Sequence, residues 1–183
     1  SGNALSQVAL PRMDTGRLDG GFWTIYTGHS ERSPASLIAD RDAGLRRLQA
    51  IHSTVAVHGS NMAIARTAAD AAAIKAAGKR VVYISMENAS PLEHEPSLLS
   101  YYHQAGLTLL SITHTKNNGF GDSGTDKPEW NGLSPAGRAL VEQATGLGIV
   151  IDQSHAADSV FDDLIKLLPV PFVVALVALG SPL

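Results

Sequence analysis

The sequence predicts a parallel α/β fold, and three observations carry that expectation. Apolar, β-branched stretches without alternation recur at residues 81–86, 108–113 and 148–152, the pattern of strands covered on both faces. Segments with apolar residues at helical spacing separate them. Glycines and Ser-Pro pairs fall at the junctions, where helices start and stop. Strands that alternate with helices pair in parallel through right-handed crossovers, in either a doubly wound sheet or a (β/α)8 barrel.

The elements follow in order. Residues 21–26 add a strand if they pair. Ser33 and Pro34 form a helix start, an N-cap followed by proline at the first helical position. Leu37, Ile38, Leu45, Leu48, Ile51 and Val55 then repeat at helical spacing up to His58. A second helix is predicted over 67–77, with Thr67 and Asp70 as a capping box and Gly78 as its stop. Strand 81–86 follows, then helix 96–104 ending at Gly106, then strand 108–113. Residues 116–133 form the longest irregular stretch, rich in Gly, Asn and Asp, and a loop of that length after a strand is commonly functional. Ser134 and Pro135 repeat the helix-start device, strand 148–152 comes next, and helix 157–168 leads into a further strand at 171–178.

Composition narrows the function classes. With 183 residues and 19.2 kDa, a single domain over 1–183 is expected. Charged residues are 17% and apolar ones 44%, the opposite of a disordered chain. The net charge of −3 comes without any basic stripe, so no nucleic-acid partner is expected. There is no Gly-rich phosphate loop. The absence of cysteine excludes disulfides and thiolate metal sites, so any metal must be held by His and carboxylate. The apolar run 167–179 contains two prolines and falls short of the about 20 residues of a membrane span. Neither an initiator Met nor a leader opens the sequence. Both ends read as cut, which leaves the compartment open: a soluble chain, periplasmic or secreted if a leader was removed.

The chemistry-bearing residues gather at predicted strand ends. Glu87 follows the first of these strands, His114 the second, and Asp152 to His155 the third. In barrels and open α/β sheets the C-terminal strand ends carry the site. Taken singly, Glu87 reads as a solvated loop residue, His114 as a packed strand end and His155 as a helix cap. Together, at three successive strand ends, they read as a ligand set of oxygen and nitrogen donors suited to zinc. His29, His52, His58, His94 and His103 lie in loops or helices and read as structural or exposed. Trp23 and Trp130 read as packing residues.

At these residues the sequence resembles the renal (membrane) dipeptidase family, peptidase family M19, of amidohydrolase-type zinc barrels. The matching stretches are 7–13, 18–23, Glu87-Asn88, 113–118, Asp122-Ser123, 125–140 and 152–156, with Glu129-Trp-Asn-Gly-Leu-Ser-Pro135 the most specific. The resemblance implies a (β/α)8 TIM-type barrel present to about half its extent. It implies hydrolysis of dipeptide bonds by a hydroxide that bridges two zinc ions. Glu87 then matches the carboxylate bridging both metals, His155 a histidine ligand, and His114 the histidine that contacts substrate and polarises the scissile carbonyl. Asp122 is placed with the substrate-binding residues.

The sequence also departs from that pattern. No His-x-Asp pair precedes Gln7, position 9 is Ala, and Leu176 stands where a further histidine ligand is expected. A (β/α)8 barrel takes about 250 residues. The expectation is therefore a catalytically incomplete chain, with a non-catalytic, self-associating half-barrel or binding module as the alternative. Open sheet edges predict homo-oligomers, with the apolar tail 170–179 as the stickiest edge.

Overall fold

The computed structural model describes residues 8–174. A short helix α1 (Leu10–Thr15) precedes strand β1 (Gly20–Tyr26), followed by helix α2 (Pro34–Val57) and the short strand β2 (Met62–Ile64). Then come α3 (Ala68–Ala76), β3 (Arg80–Glu87), a 3-10 turn at Ser90–Leu92, α4 (Leu98–Gln104) and β4 (Leu107–Ser111). Helix α5 (Pro135–Gly146), β5 (Val150–Asp152) and α6 (Asp158–Leu167) complete the described chain.

Local chemistry explains the helix starts. Ser33 Oγ accepts the Ser36 amide, Ser134 Oγ accepts the Gly137 amide, and both helices open on proline. At α3 the predicted capping box forms in full: Thr67 Oγ1 accepts from Asp70 N–H, and the Asp70 carboxylate accepts from Thr67 N–H. These contacts satisfy amide donors that a helix start otherwise leaves open. Helix α2 buries Gly44, Leu48, Ile51 and Val55, one helical face. A Cβ on Gly44 would stand 2.6 Å from Tyr102 Oη and 2.8 Å from Pro91, so glycine lets α2 settle against the 3-10 turn and α4.

All strands pair in parallel, as the alternation predicts. The order is β1-β3-β4-β5, and β2 pairs with β3. β1 runs in register along residues 81–87 on one edge of β3. On the opposite edge β2 takes residues 80–82 and β4 takes 84–86. β2 was not anticipated, because three residues give no periodic signal. Of the strand expected at 171–178, Val173 makes a parallel bridge to Asp152; residues 175–178, Leu176 among them, lie outside the described residues.

The sheet does not close into a barrel among the described residues, and β1 is an edge. Its two faces differ. Ile25, Val82, Ile84 and Met86 are fully buried with Leu48, Ile51, Leu99, Tyr102 and Leu110. Phe22, Thr24 and Tyr26 alternate onto the other face, where Phe22 stacks on Tyr83 and Thr24 hydrogen-bonds Ser85. No helix among the described residues is long and apolar enough to cross a membrane.

Candidate functional site

Parallel pairing in register brings the C-terminal ends of the strands to one rim. Glu87 is the last residue of β3, and Tyr26 of β1 lies directly beside it. His114 stands three residues past β4, and His155 three past β5. Glu87, His114 and His155 each offer one ligand atom, all within 4.8 Å of one another. His155 Nε2 lies 3.1 Å from Glu87 Oε1 and His114 Nε2 lies 3.6 Å from the same oxygen. The two imidazoles meet edge to face, their centroids 4.4 Å apart.

The supporting residues hold this arrangement rigidly. Asn88 takes a positive φ of 71°, a conformation Asn adopts more readily than most residues. It is buried, donates to Thr27 O and Ser90 Oγ, and accepts from Asn118 Nδ2. That network fixes the turn directly after Glu87. At the end of β5, Asp152 accepts from Ser111 Oγ, Ser154 N–H and Ser154 Oγ. His155 follows at φ 67°, a left-handed backbone that costs energy and persists where its surroundings impose it.

Burial holds the His114 imidazole below its ordinary range, and the neighbouring His155 reinforces this while Glu87 opposes it. His155 Nε2 is buried, and among the described residues nothing hydrogen-bonds to it. Its close polar neighbour is Glu87 Oε1 at 3.1 Å, so a carboxylate oxygen and a ring nitrogen converge there. One carboxylate oxygen and two imidazole nitrogens form a donor set that divalent zinc accepts. The residues present therefore fit one such ion.

Asp122 is fully buried. Its carboxylate accepts from the amides of Glu129, Trp130 and Gly132, which accounts for it as the anchor of the 116–133 loop, apart from the three clustered residues. Trp130 donates its indole N–H to Asn118 O. His52 is bound to Ala105 O, away from the cluster.

His29 lies in a loop and is exposed, as the sequence reading has it, and it also reaches the cluster. Its Nε2 lies 3.4 Å from His114 Nδ1 and 2.9 Å from Thr115 Oγ1. No local pattern marks it, because the contact arises from the β1–β3–β4 pairing that joins two distant loops.

Comparison with known proteins follows the same lines. The family described as membrane dipeptidase (peptidase family M19) matches residues 1–178. "Dipeptidase tcpJ" of Claviceps purpurea (strain 20.1) is 28% identical over 172 residues, 90% of this chain and 40% of that protein. "Dipeptidase ataJ" of Aspergillus terreus (strain NIH 2624 / FGSC A1156) is 26% identical over 193 residues, 92% of this chain and 47% of that protein. The crystal structure of the probable dipeptidase PvdM from Pseudomonas aeruginosa superposes with a TM-score of 0.87 at 24% identity, over 94% of this chain and 46% of its own. A metallo peptidase from Rhodobacter sphaeroides, liganded with a phosphinate mimic of the dipeptide L-Ala-D-Ala, gives 0.83 at 24% identity, over 94% of this chain and 56% of its own. The chain spans about half the length of these relatives.

Proposed function

The chain belongs to the membrane dipeptidase family, peptidase family M19, and from that premise we propose that its Glu87–His114–His155 cluster serves metal-dependent hydrolysis of dipeptides. One observation carries the reading: three donor atoms from three successive strand ends lie within 4.8 Å of one another. Glu87 and His155 would hold a divalent cation, zinc by resemblance. Such an ion supplies Lewis acidity, lowering the pKa of water and polarising a carbonyl.

The other roles belong to the chain's own groups. His114 Nε2 faces the gap beside Glu87, where a ring N–H would donate to the oxygen of the scissile carbonyl and orient it. Asp122 contributes indirectly, by shaping the loop that borders the cluster. A second cation and full turnover are proposed to need donors outside residues 8–174. The outer edge of β1, unpaired among the described residues, is the surface at which a second copy of the chain would associate.

A second reading makes His114 a third ligand to a single ion in a non-catalytic binding module, and the same 4.8 Å clustering favours it. Titration calorimetry with zinc, paired with a dipeptide hydrolysis assay, tests both. Wild-type chain is expected to bind zinc, and Glu87→Gln to lose both binding and any hydrolysis. Zinc binding without hydrolysis supports the module. Unchanged binding in Glu87→Gln overturns the site.

A further inference from the structure

His114 is the one member of the cluster whose two ring nitrogens both have close partners, and the partner on its far side is His29. The ring planes differ by 10° and the centroids are 5.6 Å apart. The 3.4 Å between His29 Nε2 and His114 Nδ1 is close to the smallest separation that this centroid spacing permits. Both nitrogens therefore lie on the line between the rings, edge to edge, as an N–H···N hydrogen bond requires. Tyr26 meets the His114 ring edge to face at 5.1 Å and limits its rotation.

A hydrogen bond between two neutral imidazoles has one donor and one acceptor, so it couples their tautomers. Two neighbours fit the direction in which His29 donates. Thr115 Oγ1 lies 2.9 Å from His29 Nε2, and a single N–H can fork between that oxygen and His114 Nδ1. On the other side of His114, Glu87 Oε1 lies 3.6 Å from Nε2 and favours a proton there.

We propose that His29 is a positioning residue: its Nε2–H donates to His114 Nδ1, so that His114 presents an Nε2–H, and not a lone pair, to the gap beside Glu87 and His155. This rests on the proposed hydrolytic site and deepens it, because it makes His114 a hydrogen-bond donor to the substrate carbonyl and removes it from the metal ligands.

The test is long-range ¹H–¹⁵N NMR of the metal-free chain, well above the imidazole titration range. Wild-type His114 is expected as the Nε2–H tautomer, with its Nδ1 resonance displaced by an accepted hydrogen bond. In His29→Leu that resonance is expected to move to the position of an unbonded ring nitrogen, and in His29→Gln, which keeps an N–H donor, to return toward wild type. An Nδ1–H tautomer in wild type, or the same Nδ1 shift in wild type and His29→Leu, overturns the proposal. A separate titration of the wild-type chain with zinc keeps the two ideas distinct. Absence of zinc binding defeats the hydrolytic reading and leaves the His29 result standing.

Discussion

Arg32 reaches Glu129 and donates from Nη1 to both carboxylate oxygens, at 3.0 and 2.8 Å. The same guanidinium places Nε 3.5 Å from Glu93 and lies over the Trp130 ring. It thus ties the segment after β1 to the 116–133 loop. Glu129 is 42% exposed, whereas Glu93 is 7% exposed, so the two pairs differ in weight. A half-exposed ion pair contributes about 0–1 kcal/mol. A buried carboxylate left without its cation costs more.

Arg32→Ala is accordingly expected to destabilise the chain by about 1–3 kcal/mol, and Glu129→Gln by less than about 1 kcal/mol. Urea denaturation checks the contrast. Equal losses in the two variants would place the energy in the surface pair and not at Glu93.

Gly137 sits in the first turn of α5 directly under the carbonyl of Phe120, and a Cβ there would overlap that backbone oxygen. Backbone cannot yield as a flexible side chain does. Gly137→Ala is therefore expected to cost roughly 3 kcal/mol, read as a lowered denaturation midpoint. A change within about 0.5 kcal/mol would show that α5 shifts freely.

Asp163 connects α6 to the loop. Burial opposes its charge, but the Leu133 amide and the Arg138 guanidinium outweigh burial and hold its carboxyl below the ordinary range. A folded value below the unfolded one means stability that is present above the unfolded value, about 3.9, and lost as pH falls through the folded value. Asp163→Asn is expected to be less stable than wild type at neutral pH, with the gap closing in acid. A gap that does not narrow at all as the pH falls below the unfolded value would contradict this assignment.

Asp152 does not touch the clustered donor atoms, yet its hydrogen bonds set the turn that presents His155. Asp152→Ala is expected to lower zinc affinity about 10–100-fold, the usual weight of residues that orient a ligand. Titration calorimetry measures it. Affinity equal to wild type would mean that the turn holds without the carboxylate.

Much of this architecture was legible locally. Ser33, Thr67 and Ser134 act on amides three residues away, so their capping is written in adjacent positions. The apolar runs at β3 and β4 announce strands because burial demands that composition. Glu87, His114 and His155 were legible as candidates because parallel strands end on one rim. Other features left no local trace. β2 is too short for periodicity. The resemblance places Asp122 with the substrate-binding residues, and only the folded loop shows its carboxylate accepting from three amides.

Sequence by itself determined the alternation of strands and helices, the caps, the absence of thiol chemistry and the residue types gathered at strand ends, because these depend on neighbours within a few positions. Tertiary structure alone decided that β1 lies against β3 and that β2 and β4 share the opposite edge. It also decided that His29 meets His114 and that Arg32 meets Glu129. Such contacts join residues 85 and 97 positions apart, and only the register of the folded sheet and the packing over it sets which distant side chains come within reach.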